Sequence, residues 1–253
     1  MDLPVNRFKR AIAAGEPQIG LWCSFATFQT VELLSRSGFD WLLLDMEHSP
    51  NDMGTLHTQL VATVGGTATP IVRPPWNDMV MVKRCLDVGA QTLLLPYVQT
   101  AEEAANAVAY TRFPPEGLRG VAVGSRAALF GRVGNYIHVA QNETCVLVQV
   151  ETRRSLDNLE AICDVDGVDG VFIGPNDLAA DLGHRGDIPH ADVQRAIADA
   201  IKRIRARGKA PGILVGEADA KRMLDNGALF VAVATDVGLL RTNADALALK
   251  FKR

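Results

Sequence analysis

GFDWLLLDMEH, residues 38–48, opens on a glycine, runs through an unbroken apolar stretch and ends among Asp45, Glu47 and His48. A continuous apolar run, rather than an alternating one, is what a parallel strand buried on both faces requires. Gly38 supplies the left-handed cap that ends a preceding helix and turns the chain into the strand. The same glycine-to-strand junction recurs at Gly89-Ala90, Gly167-Val168 and Gly227-Ala228.

Working outward, eight such strands are predicted over 18–23, 40–45, 69–73, 91–98, 144–150, 168–174, 211–216 and 229–235. Helical patterns follow them over 28–37, 53–64, 78–88, 101–111, 155–164, 191–207, 217–226 and 237–251. Eight strand–helix units without a linker or composition break predict an α/β fold, one (β/α)8 TIM barrel spanning residues 1–253. The competing architecture is an open doubly wound sheet. Its usual glycine-rich dinucleotide loop is missing from CSFATFQT, which follows the first strand. Residues 112–143 break the rhythm, separating the fourth helix from the fifth strand by far more than an ordinary loop. They are expected to pass over the catalytic face with a helix near 134–141, and their Arg119, Arg126 and Arg132 to face either that site or solvent.

Composition excludes several classes. The 26 Lys+Arg against 29 Asp+Glu give a net charge of −3 with the signs well mixed. With no basic stripe, neither a nucleic acid nor an anionic membrane is an expected partner. No apolar run approaches the roughly 18 residues of a membrane span. The N-terminal MDLPVNRFKRAIAAGEPQ lacks a signal-peptide core and reads as an amphipathic helix ended by Gly15. Cys23, Cys85, Cys145 and Cys163 form no C-x-x-C pair and read as free thiols of a reducing cytoplasm.

Functional side chains of a TIM barrel sit at the C-terminal strand ends and in the loops beyond them. Those positions hold Asp45, Glu47 and His48, then Arg73 before two prolines, Gln149 and Glu151, and Gly174-Pro175-Asn176-Asp177. The first strand ends in Cys23, the fourth in Pro96-Tyr97, the seventh in Gly216 and the eighth in Asp236. Glu151 and Asp177 come from adjacent strands and are hard oxygen donors suited to Mg²⁺ or Mn²⁺, helix capping being the alternative. Arg73 follows a buried strand and needs an anion, either a protein carboxylate or a substrate carboxylate or enolate. His48 lies three residues after Asp45, close enough for the carboxylate to orient an imidazole acting as proton shuttle. His57, His138, His184 and His190 have no such partner and read as structural. None of the lysines (9, 83, 202, 209, 221, 250, 252) ends a strand, and Lys209 precedes the seventh, so Schiff-base chemistry is not expected. No nucleotide or nucleophile-elbow motif is present.

Together, PQIGLW, GFDWLLLDMEHSPN, PIVRPPWND, LDVGAQTLLLPYVQ, RFPPEGLRGV, CVLVQVET, GVDGVFIGPNDLAADLG, GKAPGIL and GALFVAVATD resemble the HpcH/HpaI aldolase family, the metal-dependent (class II) pyruvate aldolases. They run in order and at the family's spacing from about residue 17 to the C-terminus. Within the family the resemblance is to the 4-hydroxy-2-oxoheptanedioate type. It implies a cytoplasmic lyase of aromatic-compound catabolism. Such an enzyme cleaves 4-hydroxy-2-oxo acids reversibly into an aldehyde and pyruvate, or a close 2-oxo acid such as hydroxypyruvate, through a metal-stabilised enolate. It further implies Mg²⁺, Mn²⁺ or Co²⁺ on Glu151 and Asp177, His48 as the base with Asp45 beside it, and Arg73 stabilising the enolate. Asp87 would raise the basicity of the histidine, from another part of the site or from a neighbouring subunit; on its own reading it is a helix-terminal acid. Gln149, Gly174, Pro175, Asn176, Asp177 and Leu214 would contact the 2-oxo acid. A homohexamer, a trimer of dimers exchanging the final helix, is the implied assembly.

Two departures from the family pattern bear on specificity. Asn176 stands where a small residue is more usual, and GVAVGSRAALFGRVGNY, after Arg119, differs from the common pattern. Two rival readings remain at this level. One is a CoA-ester lyase of the citrate-lyase type, whose basic patch only the arginines of 112–132 could supply. The other is a non-catalytic barrel that binds a 2-oxo acid.

Overall fold

The computed structural model describes residues 1–252. Eight strands pair in parallel in chain order: β1 (Gln18–Cys23), β2 (Trp41–Asp45), β3 (Thr69–Arg73), β4 (Thr92–Leu95), β5 (Cys145–Val150), β6 (Gly170–Ile173), β7 (Ala210–Leu214) and β8 (Phe230–Thr235). β8 pairs with β1, so the sheet is closed and the expected TIM barrel is formed. The four junction glycines, Gly38, Gly89, Gly167 and Gly227, all take φ between 92° and 105°, the left-handed turn their positions require.

Alternation along each strand sorts side chains into two apolar layers. Leu42, Leu44, Val72, Val146 and Val148 pack outward against the helices, while Trp41, Leu43, Ile71, Leu147, Phe172 and Phe230 fill the barrel axis. Since both faces are buried, the sequence shows unbroken apolar runs. Large rings on the axis need small neighbours: a Cβ on Gly20 would overlap the Trp41 indole. The N-terminal helix Arg7–Ala13, capped by Asn6, closes the lower end. Its Phe8 stands edge-on to Trp41 and Phe230, with ring centroids 6.2 and 5.6 Å away. Fully burying such a ring contributes about 1.5–3 kcal/mol.

Three elements differ from the sequence reading. The helix expected over 155–164 is two, Arg153–Asp157 and Leu159–Cys163, separated at Asn158. A short helix, Pro175–Asp181, precedes the long helix Ala191–Ala206, and Pro175 opens it at a position that needs no backbone N–H.

The third difference is the largest. Residues 112–143 lie at the N-terminal end of the barrel and not over the catalytic face. The helix Ala101–Thr111 carries the chain back down, and β5 starts from below, so anything inserted between them begins and ends on the floor. The segment packs beside Pro70, Gln91 and Thr144, where β3, β4 and β5 begin. Its expected helix is present over Tyr136–Glu143. Arg119 is buried with Asp87 and Tyr136, and Arg126 donates to the carbonyls of Val88 and Leu60. Of the three arginines considered, Arg132 alone is exposed. A basic CoA patch at the mouth therefore loses the residues that could have formed it.

The final helix, Asp236–Phe251, begins under a Thr235 cap and leaves the barrel. Leu240, Leu247, Leu249 and Phe251 are 58–82% exposed along it.

Candidate active site

The register of β2 and β3 sets Asp45 directly beside Arg73 on the axis face at the barrel mouth. Arg73 Nε donates to Asp45 Oδ1 at 2.9 Å and Nη2 to Oδ2 at 2.8 Å, a two-pronged pair. Trp22 completes the unit, its indole N–H donating to Asp45 Oδ2 at 3.1 Å and its ring lying 4.8 Å from the guanidinium carbon. Burial alone would raise the Asp45 carboxyl; the bonds and charge of Arg73, with those of Trp22 and the Glu47 N–H, hold it below the usual carboxylate range.

Arg73 thus meets a protein carboxylate with two of its nitrogens and turns the third to other partners. Its Nη1 lies 2.7 Å from Glu47 Oε2 and 3.5 Å from Gln149 Oε1. That Glu47 oxygen is buried without an aligned hydrogen-bond donor. Burial raises the Glu47 carboxyl, the charges of Asp45 and Asp177 add to the rise, and those of Arg73 and His48 oppose it.

Glu151, one residue past β5, is 3% exposed. Its Oε1 accepts the Tyr97 N–H at 3.0 Å and its Oε2 accepts Gln149 Nε2 at 2.5 Å. Tyr97 reaches it with a φ of +56°, a conformation bulky residues rarely adopt. Gly174 makes room, because a Cβ there would overlap Glu151 Oε2. Burial, with the charges of Asp177 and Glu47, pushes the Glu151 carboxyl up to about 7 against the bonds from Gln149 and Tyr97.

Capping explains neither acid. Thr152, not Glu151, caps the helix Arg153–Asp157. Asp177 is the third residue of Pro175–Asp181, whose start carries no side-chain cap. Glu151 and Asp177 instead feel each other's charge across the mouth, with Glu47 facing both. An all-oxygen donor set of two carboxylates, one of them raised by burial and by its neighbours' charge, fits a hard divalent cation completed by water or substrate.

His48 stands in the loop after β2 with its side chain 68% exposed, Nε2 lying 3.9 Å from Glu47 Oε2. The expected pairing of its imidazole with Asp45 is not formed. Asp45 is committed to Arg73 and Trp22, and it receives the backbone N–H groups of Glu47 and His48 at 3.0 and 3.5 Å. It shapes the loop, and Glu47 is the acid beside the ring. Within one chain Asp87 is also outside the site. It ends the helix Met79–Asp87 at the floor and accepts from Arg119 Nη2 at 2.8 Å. Gln149, Gly174 and Pro175 are buried at the mouth, whereas Asn176 and Asp177 are exposed on it. Leu214 ends β7 against the axis cluster. Lys209 lies at the other end of the barrel and donates to the Val168 carbonyl.

The sequence reading gave no role to Trp22, Glu47 or the Tyr97 backbone. Strand parity would have found Trp22. Cys23 ends β1 but belongs to the outer layer, so the residue before it faces the axis.

A closed parallel barrel with a buried arginine and desolvated carboxylates at the C-terminal ends of its strands defines a TIM-barrel enzyme whose mouth gathers oxygen donors. The profile of the HpcH/HpaI aldolase/citrate lyase family matches residues 18–243, and the chain belongs to that family. A 4-hydroxy-2-oxo-heptane-1,7-dioate aldolase of Salmonella heidelberg (strain SL476) is 57% identical over 248 residues, 97% of this chain and 94% of its own length. The crystal structure of a family protein from Burkholderia cenocepacia J2315 superposes with a TM-score of 0.94 at 42% identity, covering 98% of this chain and 100% of that one. An HpcH/HpaI aldolase from Desulfitobacterium hafniense DCB-2, 24% identical with a TM-score of 0.89 over 97% of this chain and 96% of its own, shares the fold.

Proposed function

We propose that this chain catalyses the reversible aldol cleavage of a 4-hydroxy-2-oxo acid, releasing an aldehyde and pyruvate or a close 2-oxo acid, with Mg²⁺, Mn²⁺ or Co²⁺ on Glu151 and Asp177. The observation that carries this reading is the surplus of acid at the mouth, where Asp45 and Glu47 pair with the buried Arg73 while Glu151 feels the charges of Asp177 and Glu47. The 57% identical aldolase supports the substrate class. A bound cation supplies Lewis-acid polarisation of the 2-oxo group.

The chain's own residues do the rest. As the C3–C4 bond breaks, its electron pair passes into the 2-oxo unit and negative charge grows on the keto oxygen. Arg73 meets that charge through Nη1, which Asp45 leaves to Glu47 and Gln149 and which the substrate oxygen takes over from them. Asp45 and Trp22 fix the guanidinium beforehand, so little reorganisation accompanies the charge. His48 takes the 4-hydroxyl proton during cleavage and returns it in condensation, which is typically worth ~10²–10⁴ in rate. Gln149, Gly174, Pro175, Asn176 and Leu214 shape the place of the 2-oxo acid. Asp87 can assist His48 only from a neighbouring copy. The exposed leucines of Asp236–Phe251 support exchange of this helix within a dimer, the unit of a hexamer.

Release of pyruvate, coupled to lactate dehydrogenase, tests the activity. Chelation should abolish it and Mg²⁺, Mn²⁺ or Co²⁺ restore it. Full activity in chelator, or inactivation by borohydride with pyruvate present, would overturn the assignment.

A further inference from the structure

Away from the mouth carboxylates, the loop leaving the Pro175–Asp181 helix brings two histidines onto the first turn of Ala191–Ala206. His184 and His190 stack with ring centroids 3.5 Å apart and planes 16° from parallel. Asp192 Oδ2 lies 3.5 Å from His184 Nε2 and 3.9 Å from His190 Nδ1. Among the described residues, this is where three His, Cys, Asp or Glu side chains bring ligand atoms within 4.8 Å of one another. Both histidines read as structural in the sequence; Gly183 and Gly186, with φ of +90° and +79°, fold the loop so that they meet.

Metal–ligand bonds of about 2.0–2.1 Å in a tetrahedron separate ligand atoms by about 3.3–3.4 Å. The measured edges exceed this by a few tenths of an ångström. Two imidazoles can point their lone pairs at one ion only if the stack splays, so binding exchanges the stack for coordination. Asp192 Oδ1 is taken by Arg195, which leaves Oδ2 as the ligand oxygen. His190 Nδ1 also accepts the Asp192 N–H at 3.2 Å, an exposed capping bond that water can replace.

We propose that His184, His190 and Asp192 form a second cation site, distinct in chemistry from the mouth, which takes a borderline transition ion such as Zn²⁺, Ni²⁺, Co²⁺ or Cu²⁺ and clips the 183–190 loop to the helix behind it. Imidazole nitrogens select these ions over Mg²⁺, whereas the carboxylates of the mouth also suit Mg²⁺ and Mn²⁺. The clip reaches toward substrate. Ile188 and Pro189 of the same loop line a cleft that continues to Pro175 and Leu214. The site is argued from its own three residues and does not depend on the aldolase reading.

The experiment uses untagged full-length protein carrying Glu151→Ala and Asp177→Ala, which removes the oxygen-donor pair. Equilibrium dialysis with Ni²⁺ alone should find one bound equivalent that excess Mg²⁺ does not displace. Cu²⁺ in the same protein should show nitrogen hyperfine structure in its electron paramagnetic resonance spectrum. Adding His184→Ala or His190→Gln should weaken binding by at least about tenfold and remove the nitrogen signature. In the otherwise unaltered protein, His184→Ala should keep its Mg²⁺-supported turnover and its metal-free thermal midpoint, which shows that the variant folds. Absence of the Ni²⁺ equivalent, its displacement by Mg²⁺, or its survival unchanged in both histidine variants would overturn the site.

Discussion

Among the described residues the barrel holds two buried arginines, one at each end, and they look alike until their surroundings are counted. Arg73 at the mouth and Arg119 at the floor each meet an aspartate at 2.8 Å. Each also lies over an aromatic ring, Trp22 at 4.8 Å and Phe113 at 4.5 Å. Arg119 has one acid, Asp87, and shares the same Nη2 with the Tyr136 hydroxyl, while its Nε is buried without a partner. Arg73 has Asp45 and Glu47, and Glu47 in turn faces Asp177 and Glu151. A buried arginine therefore does not mark a catalytic end. An arginine outnumbered by acids that burial leaves short of partners does.

If that contrast is right, damage at the two ends should differ in kind. The largest effect is expected from Glu151→Ala or Asp177→Ala, each reducing pyruvate release to background and removing Mg²⁺-dependent activity, with the fold intact by circular dichroism. Retained turnover in either variant would break the contrast outright. His48→Ala comes next, a loss of ~10²–10⁴ in kcat with metal binding spared, because the base acts on the hydroxyl. Loss of the metal as well would make the imidazole a ligand.

The arginine pair itself supplies the sharpest test. Arg73→Ala should lower kcat by about 10²–10³ and, by leaving Asp45 unpaired, cost about 3–5 kcal/mol of stability. Arg73→Lys should recover only part of the rate, since a point charge cannot reproduce the two-pronged pair. Arg119→Ala should show the stability loss alone, with near-normal turnover in the folded fraction. Equal losses of kcat at both positions would mean that the floor takes part in the chemistry.

The smallest effect concerns acid. The carboxyl of Asp45 sits below its unfolded value, so its pairing contributes stability that is complete above about pH 4 and fades as pH falls through the lowered value. Asp45→Asn should flatten the acid limb of a plot of thermal midpoint against pH. An unchanged limb would show that the pair adds nothing measurable.

Much of this was legible before any coordinates. Parallel strands buried on two faces leave unbroken apolar runs, and glycine caps mark where each begins, so all eight strands could be placed. Glu151, Asp177, Arg73 and His48 stand out in the sequence by their place at strand ends, and the fold gathers them at the mouth. Partnerships were harder, because they depend on register. Asp45 was assigned to His48 by nearness in sequence, but β2–β3 register gives it to Arg73. Glu47 gained its importance only from the absence of an aligned donor in three dimensions. The place of 112–143 follows from connectivity alone. Every segment that follows a helix and precedes a strand in such a barrel lies at the floor, whatever its length.

Tyr97 carries a consequence for how this mouth can vary over generations. The link to Glu151 is a peptide N–H, so the ring at position 97 is free to drift while the bond persists. The filter falls on backbone shape. With φ at +56°, glycine, asparagine and aspartate should pass a saturation library here, and valine and isoleucine should vanish from it.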